Sequence, residues 1–221
     1  MKPLLVEMAF DFICPWCLIG KRNLQKALRS LAMSRSDVQV EVRWKGVQLL
    51  SHLPAQGVPF EEFYAERLGS PAAVRARQAQ VLAAAEMAGV DLELHRIRVM
   101  PNTANAHRLF ERAAQSGTPE QVDALLEHLF SAYFQLGADL GDRGLLLRVA
   151  ESCGFDRAAL EAVLRDDAQP YVGSGAMMAS SVPAFVIDQR LSLVGAQPPE
   201  QILPILHRTL QHLAAAGECA S

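Results

Sequence analysis

The chain has 221 residues, 50% of them hydrophobic and 20% charged, with 21 Lys and Arg against 24 Asp and Glu for a formal net charge of -3. That length supports one substantial core, or one domain with a sizeable insertion. The charge leaves no footprint for nucleic acid, and no apolar stretch is long enough for a membrane span.

Leu4 to Phe12 is rich in branched and aromatic residues and predicts a buried strand. Lys2 ahead of Pro3 to Val6 does not make a signal peptide, because Glu7 and Asp11 interrupt the apolar run. The expected address is cytoplasmic, where a cysteine pair is more often catalytic than structural. The strand runs into Cys14-Pro15-Trp16-Cys17, and the helical pattern Leu18 to Leu31 follows. Pro15 suits the first helical position and Cys14 the N-cap. One sulfur then sits where unpaired N–H groups and the helix dipole favour a thiolate, with the second close behind it. Such a pair is a dithiol–disulfide redox site. The same spacing also serves half a zinc site or a structural disulfide, but zinc needs more ligands, and Cys153 and Cys219 each stand alone. No metal is expected.

Val38 to Trp44 alternates Val38, Val40, Val42 and Trp44 with Gln39, Glu41 and Arg43, a second strand with one buried face. From about Phe60 to about Val172 the pattern turns helical, with five to seven helices expected. Ser70-Pro71 and Thr118-Pro119 read as helix starts, and Gly89, Gly117, Gly137 and Gly154 fall where helices would end. Leu125, Leu126, Leu129, Phe130, Tyr133 and Phe134 recur at core spacing. The short basic run His95 to Arg98, with Arg108 further on, reads as a solvated face. Ala184 to Ile187 and Leu191 to Val194 form a hairpin across Asp188-Gln189-Arg190, and Pro199 to Leu213 a closing helix, with a frayed Ala-rich end. Cys153 is expected to be buried before a helix-ending glycine and Cys219 exposed in a tail.

This order resembles the DsbA-like superfamily: an α/β thioredoxin fold interrupted by a large all-helical insertion, divided as residues 1–59, 60–172 and 173–221. Phe10-Asp11-Phe12-Ile13-Cys14-Pro15-Trp16-Cys17-Leu18-Ile19-Gly20-Lys21 is similar to the redox segment of the FrnE-like branch. So are Pro101-Asn102-Thr103 with Ala106-His107-Arg108-Leu109, Ser181 to Ile187, and Gly195-Ala196-Gln197-Pro198-Pro199. The resemblance implies a cis bond between Val182 and Pro183 beside the cysteines, leaving the Val182 backbone open to an extended peptide or to glutathione. It also implies that Asn102 and His107 face the active-site groove from the insert; Pro15, Trp16, Val182 and Pro183 are the other expected substrate-binding residues.

Better-known branches bury a carboxylate six residues before the first cysteine, where this chain has Met8. Asp11 or His107 must then accept the proton of the second thiol, if a side chain does. In a regular strand Glu7 and Asp11 point away from the face of Met8. The expected chemistry is thiol–disulfide exchange by Cys14 and Cys17 on protein or small-molecule disulfides, without a bound cofactor and with glutathione as a possible co-substrate. Trp16 carries no charge toward the thiolate, so the expected direction is reduction or isomerisation. Two rivals remain: a kappa-class glutathione transferase or 2-hydroxychromene-2-carboxylate isomerase, which generally place Ser where Cys14 stands, and a redox-sensing peptide-binding chaperone.

Overall fold

The computed structural model describes residues 3–167, 169–173, 175 and 181–218. Its centre is a four-stranded sheet ordered β2-β1-β5-β6, formed by β1 (Leu4–Phe10), β2 (Val40–Gly46), β5 (Ala184–Ile187) and β6 (Leu191–Val194). β1 pairs parallel with β2, Leu4 facing Val40, and antiparallel with β5, Met8 facing Phe185. As an inner strand, β1 is apolar at nearly every position. The two runs from the first half of the chain thus meet the late hairpin in one sheet, and the expected α/β thioredoxin fold with a helical insertion is present.

β1 stops at Phe10, two residues before the end of the apolar run, because the chain turns there and the Cys14 amide bonds the Asp11 carbonyl at 3.1 Å. β2 starts at Val40, not Val38, since the Val38 amide is taken by the Arg35 carbonyl just past helix α1 (Pro15–Ser34). α1 packs against α8 (Pro199–Glu218) and α3 (Pro71–Ala88). α8 continues past Leu213 to Glu218, with Pro204 inside it; Cys219 lies outside the described residues.

The block between the sheet's halves holds α2 (Phe60–Leu68), α3, α4 (Ala104–Ser116), α5 (Pro119–Phe134), α6 (Arg143–Ser152) and α7 (Arg157–Glu161). Ser70 Oγ accepts from the Ala73 amide, and Thr118 with Gln121 closes a capping box on α5. Gly117 ends α4 for a reason other than left-handed backbone: its φ is −88°. A Cβ there would lie 2.6 Å from the Phe155 ring, so the ring's close approach is what requires glycine. The block also contains a pairing the sequence does not announce, β3 (Val58–Pro59) against β4 (Val99–Met100). Two-residue strands are too short for a periodic signal.

One continuous apolar core joins Leu4, Val6 and Met8 of the sheet to Phe110, Leu125, Phe130 and Tyr133 of the helices. No helix among the described residues is long and apolar enough to cross a membrane.

Candidate functional site

Cys14 occupies the N-cap of α1 with extended backbone, Pro15 takes the first helical position, and the Cys17 amide bonds the Cys14 carbonyl at 2.9 Å. Both are free thiols, yet they differ in access: Cys14 retains 8% exposure and Cys17 none. Burial pushes the Cys17 thiol well above its ordinary range and the neighbouring Cys14 sulfur pushes it further; the Asp11 backbone opposes them, and the Asp11 carboxylate adds the smallest upward push. Cys17 therefore holds its proton until something takes it.

The Val182–Pro183 peptide is cis, and the Cys14 thiol points to the Val182 carbonyl at 3.8 Å. Gly20 permits this approach, since a Cβ there would lie 3.2 Å from both Pro183 Cγ and Phe185 Cζ. The two ends of the chain thus meet at the first turn of α1.

Cys14 opens into a groove of about 650 Å³, a size suited to a small ligand or a few residues of peptide. Pro15 and Trp16 form one lip, Leu49, Leu50 and His52 a side wall, and α2 and α3 the roof. Phe60, Phe63, Tyr64 and Arg67 line it from α2, and Val74, Arg77, Gln78 and Val81 from α3. Each set has the i, i+3, i+4, i+7 spacing of one helical stripe. That signal was present in the sequence, but Arg67 and Arg77 interrupt its apolar pattern and conceal the shared direction.

Asn102 and His107, which the resemblance turns toward the groove, lie behind its wall. Asn102 is buried and committed: its amide donates to the Leu53 carbonyl at 2.7 Å, and its oxygen accepts from Gln48 at 2.9 Å and the Ala104 amide at 3.0 Å. It ties the wall segment to the start of α4. His107 is also buried, its Nε2 3.2 Å from Asp11 Oδ1, and its ring stacks on Tyr171 at 5.0 Å and packs on Phe12 at 4.9 Å. Its Nδ1 has no hydrogen-bond partner among the described residues. Gly46 makes room for that atom, because a Cβ there would lie 2.5 Å from it.

Asp11 is wholly buried and accepts from the Leu49 amide at 2.7 Å as well as facing His107. Strand alternation does not govern its direction, since β1 has already ended. The inward carboxylate missing at Met8 is thus present on the turn that leads to Cys14, while Glu7 stays in the strand and meets Lys45 at 3.4 Å. Among the described residues no three His, Cys, Asp or Glu side chains converge on a metal site. Cys153 stands apart from the pair, half-buried and not fully enclosed, its sulfur 3.3 Å from His128 Nδ1.

A probable DsbA oxidoreductase from Streptomyces coelicolor, SCO1869, has a structure similar to this one: TM-score 0.80 at 26% identity, covering 94% of this chain and 90% of that one. The cytosolic disulfide reductase DsbM from Pseudomonas aeruginosa, in its structure with GSH, has a TM-score of 0.53 at 18% identity, covering 94% of this chain and 100% of that one. In sequence, the uncharacterized protein YwbO of Bacillus subtilis (strain 168) is 23% identical over 189 residues, 82% of this chain and 86% of that protein. The family model of the DSBA-like thioredoxin domain matches residues 5–207, from the first strand into the closing helix, and the chain belongs to that family.

Proposed function

We propose that this protein is a thiol–disulfide oxidoreductase, working as a reductase or isomerase in a reducing cytoplasm and belonging to the FrnE-like branch of its family. The observation that carries the reading is the asymmetry of the dithiol: Cys14 reaches the groove, while Cys17 is sealed behind it. Cys14 attacks a substrate disulfide as thiolate, forming a bond to one substrate sulfur while the substrate S–S bond breaks and the other sulfur leaves. Cys17 then gives up its proton and attacks the Cys14 sulfur. The Cys14–Cys17 bond forms, the second substrate thiol departs, and two electrons have passed from protein to substrate. A thiol reductant such as glutathione returns the pair to the dithiol; the DsbM structure with GSH supports considering that co-substrate.

In this scheme the Asp11–His107 pair accepts the Cys17 proton. The groove is filled by substrate in the mixed disulfide, and this buried pair lies behind it, its Asp11 beside Cys17. Val182 and Pro183, with Pro15 and Trp16, dock the substrate beside Cys14, and Asn102 holds the wall. Trp16 favours the reductive direction because its own side chain carries no charge between the two cysteines. Cys14, where the related transferases generally use Ser, favours exchange over conjugation.

Turnover of a protein disulfide with glutathione as reductant tests the reading. Wild type is expected to turn over, Cys14→Ser to lose all activity, and Cys17→Ser to accumulate the mixed disulfide at Cys14 and turn over only as slowly as glutathione itself resolves it. Full turnover by Cys14→Ser would overturn the proposal.

A further inference from the structure

We propose that the groove selects peptide disulfides whose cysteine lies beside a bulky apolar residue and an acidic one, with Arg67 and Arg77 reading the acid. This deepens the exchange reading and rests on it. Two independent arrangements converge. The groove's bed is apolar and aromatic, with Phe60, Phe63, Tyr64 and Val81 lining it together with Cys14. Over it stand two guanidinium groups, Arg77 at 5.5 Å from the centre of the Trp16 ring and Arg67 at 6.0 Å from that of Phe63. The aromatic faces hold both cations over the groove.

Neither arginine forms an ion pair with a carboxylate among the described residues; Arg77 bonds only the Gln80 side-chain oxygen, at 2.7 Å. No Asp or Glu lines the groove. An anion on the substrate would thus meet two guanidinium groups that no carboxylate of the groove already holds, while a cation would meet like charge. A compact anion such as glutathione would use the charges and leave the apolar bed uncovered. A peptide uses both, and the Val182 carbonyl beside Cys14 offers it a backbone partner.

The test uses hexapeptides with a central cysteine held as a mixed disulfide with 2-mercaptoethanol, a neutral leaving thiol. The cysteine is flanked by Phe and Glu, Phe and Gln, Phe and Lys, or Gly and Glu, and dithiothreitol serves as reductant. Each turnover passes two electrons from the Cys14–Cys17 dithiol to the peptide disulfide and releases two thiols. The expected kcat/KM is highest for Phe–Glu, about tenfold above Phe–Gln and further above Phe–Lys, with Gly–Glu and glutathione disulfide also well below it. The spread should narrow with added salt as screening shortens the reach of the arginines. The variant Arg67→Glu with Arg77→Glu is expected to reverse the order and prefer Phe–Lys, which loss of fold could not produce. Equal rates for Glu, Gln and Lys peptides, or a Glu preference that survives the double variant, would overturn the proposal while leaving exchange intact. Glutathione disulfide outrunning every peptide would also overturn it. No turnover of any disulfide would overturn the exchange reading and this proposal together.

Discussion

Asp11 concentrates the residue-scale chemistry, because one wholly buried carboxylate faces His107, bonds the Leu49 amide and adds to the resistance of Cys17 to ionisation. Its charge has two opposed effects on the second thiol. As a neighbour it keeps the Cys17 proton in place; as an acceptor it provides somewhere for that proton to go. If the second effect governs turnover, Asp11→Asn slows resolution of the mixed disulfide by about 10²-fold near neutral pH, the lower end of general-base effects. Because the Cys17 thiol is pushed up, its thiolate fraction then rises about tenfold per pH unit below its own range, and resolution in the variant should recover steadily as the pH is raised. Stopped-flow tryptophan fluorescence or quenched mass spectrometry of a preformed mixed disulfide measures this; an unchanged rate at neutral pH removes Asp11 from proton transfer. Gly46 offers a second check. The Cβ of Gly46→Ala would press on His107 Nδ1, and denaturant unfolding should show a loss of about 1–3 kcal/mol, the usual cost of overpacking. Cys14, Cys17 and Pro15 were legible from spacing alone, whereas the directions of Asn102 and His107 were not. Both side chains are fixed by partners far along the chain, Leu53 and Gln48 for one and Asp11 for the other.

Among the elements, α1 and α5 are joined by charge as well as by apolar contact. Lys21 is almost fully buried and lies 3.0 Å from Asp123 and 2.8 Å from Glu127, while Arg22 reaches the other Glu127 oxygen at 2.5 Å. Burial pushes the Glu127 carboxyl up, but the hydrogen bonds and charges of Lys21 and Arg22 outweigh it and leave it below its ordinary range. A depressed carboxyl stabilises the fold above its unfolded value, about 4.3, and that contribution fades as pH falls through the folded value. Glu127→Gln leaves Lys21 with one carboxylate and should cost about 1–3 kcal/mol near neutral pH. The difference from wild type should shrink in acid, as read by thermal unfolding against pH; a pH-independent difference would show that the charge does not act. Helix starts at Ser70 and Thr118 were readable because capping is local. The Lys21 cluster was not, because its partners lie on α5, about a hundred residues away. The stripes of α2 and α3 fall between these cases: their spacing is local, but what they face depends on the distant segments Ile13 to Trp16 and Leu49 to His52 across the groove.

For the whole molecule, the sheet and the helical block between its halves share a core, and the groove has one wall from that block and one from the segments Ile13 to Trp16 and Leu49 to His52 outside it. The order of strands and helices survived the reading from sequence because each long element carries its own periodicity, whereas β3 and β4 are too short to carry any. Removing the 60–172 block would strip Phe110, Phe130 and Tyr133 from contact with Phe10, Phe12 and their neighbours. The excised chain should therefore unfold at lower denaturant than the full chain, and any folded remnant should lose discrimination among disulfides. A remnant with wild-type stability and selectivity, measured by urea unfolding and by rates on two disulfides, would contradict a shared core and a shared groove.

The central claim is the division of labour between Cys14 at the groove and Cys17 behind it, and trapping tests it most directly. Reduced Cys17→Ser and Cys14→Ser proteins are each mixed with a peptide disulfide, quenched in acid and read by intact mass and peptide mapping. The account predicts one peptide adduct per Cys17→Ser molecule, attached at Cys14 and released by dithiothreitol, and essentially none on Cys14→Ser at the same times. Equal adduct formation on both variants, or formation mainly at Cys17, would contradict it.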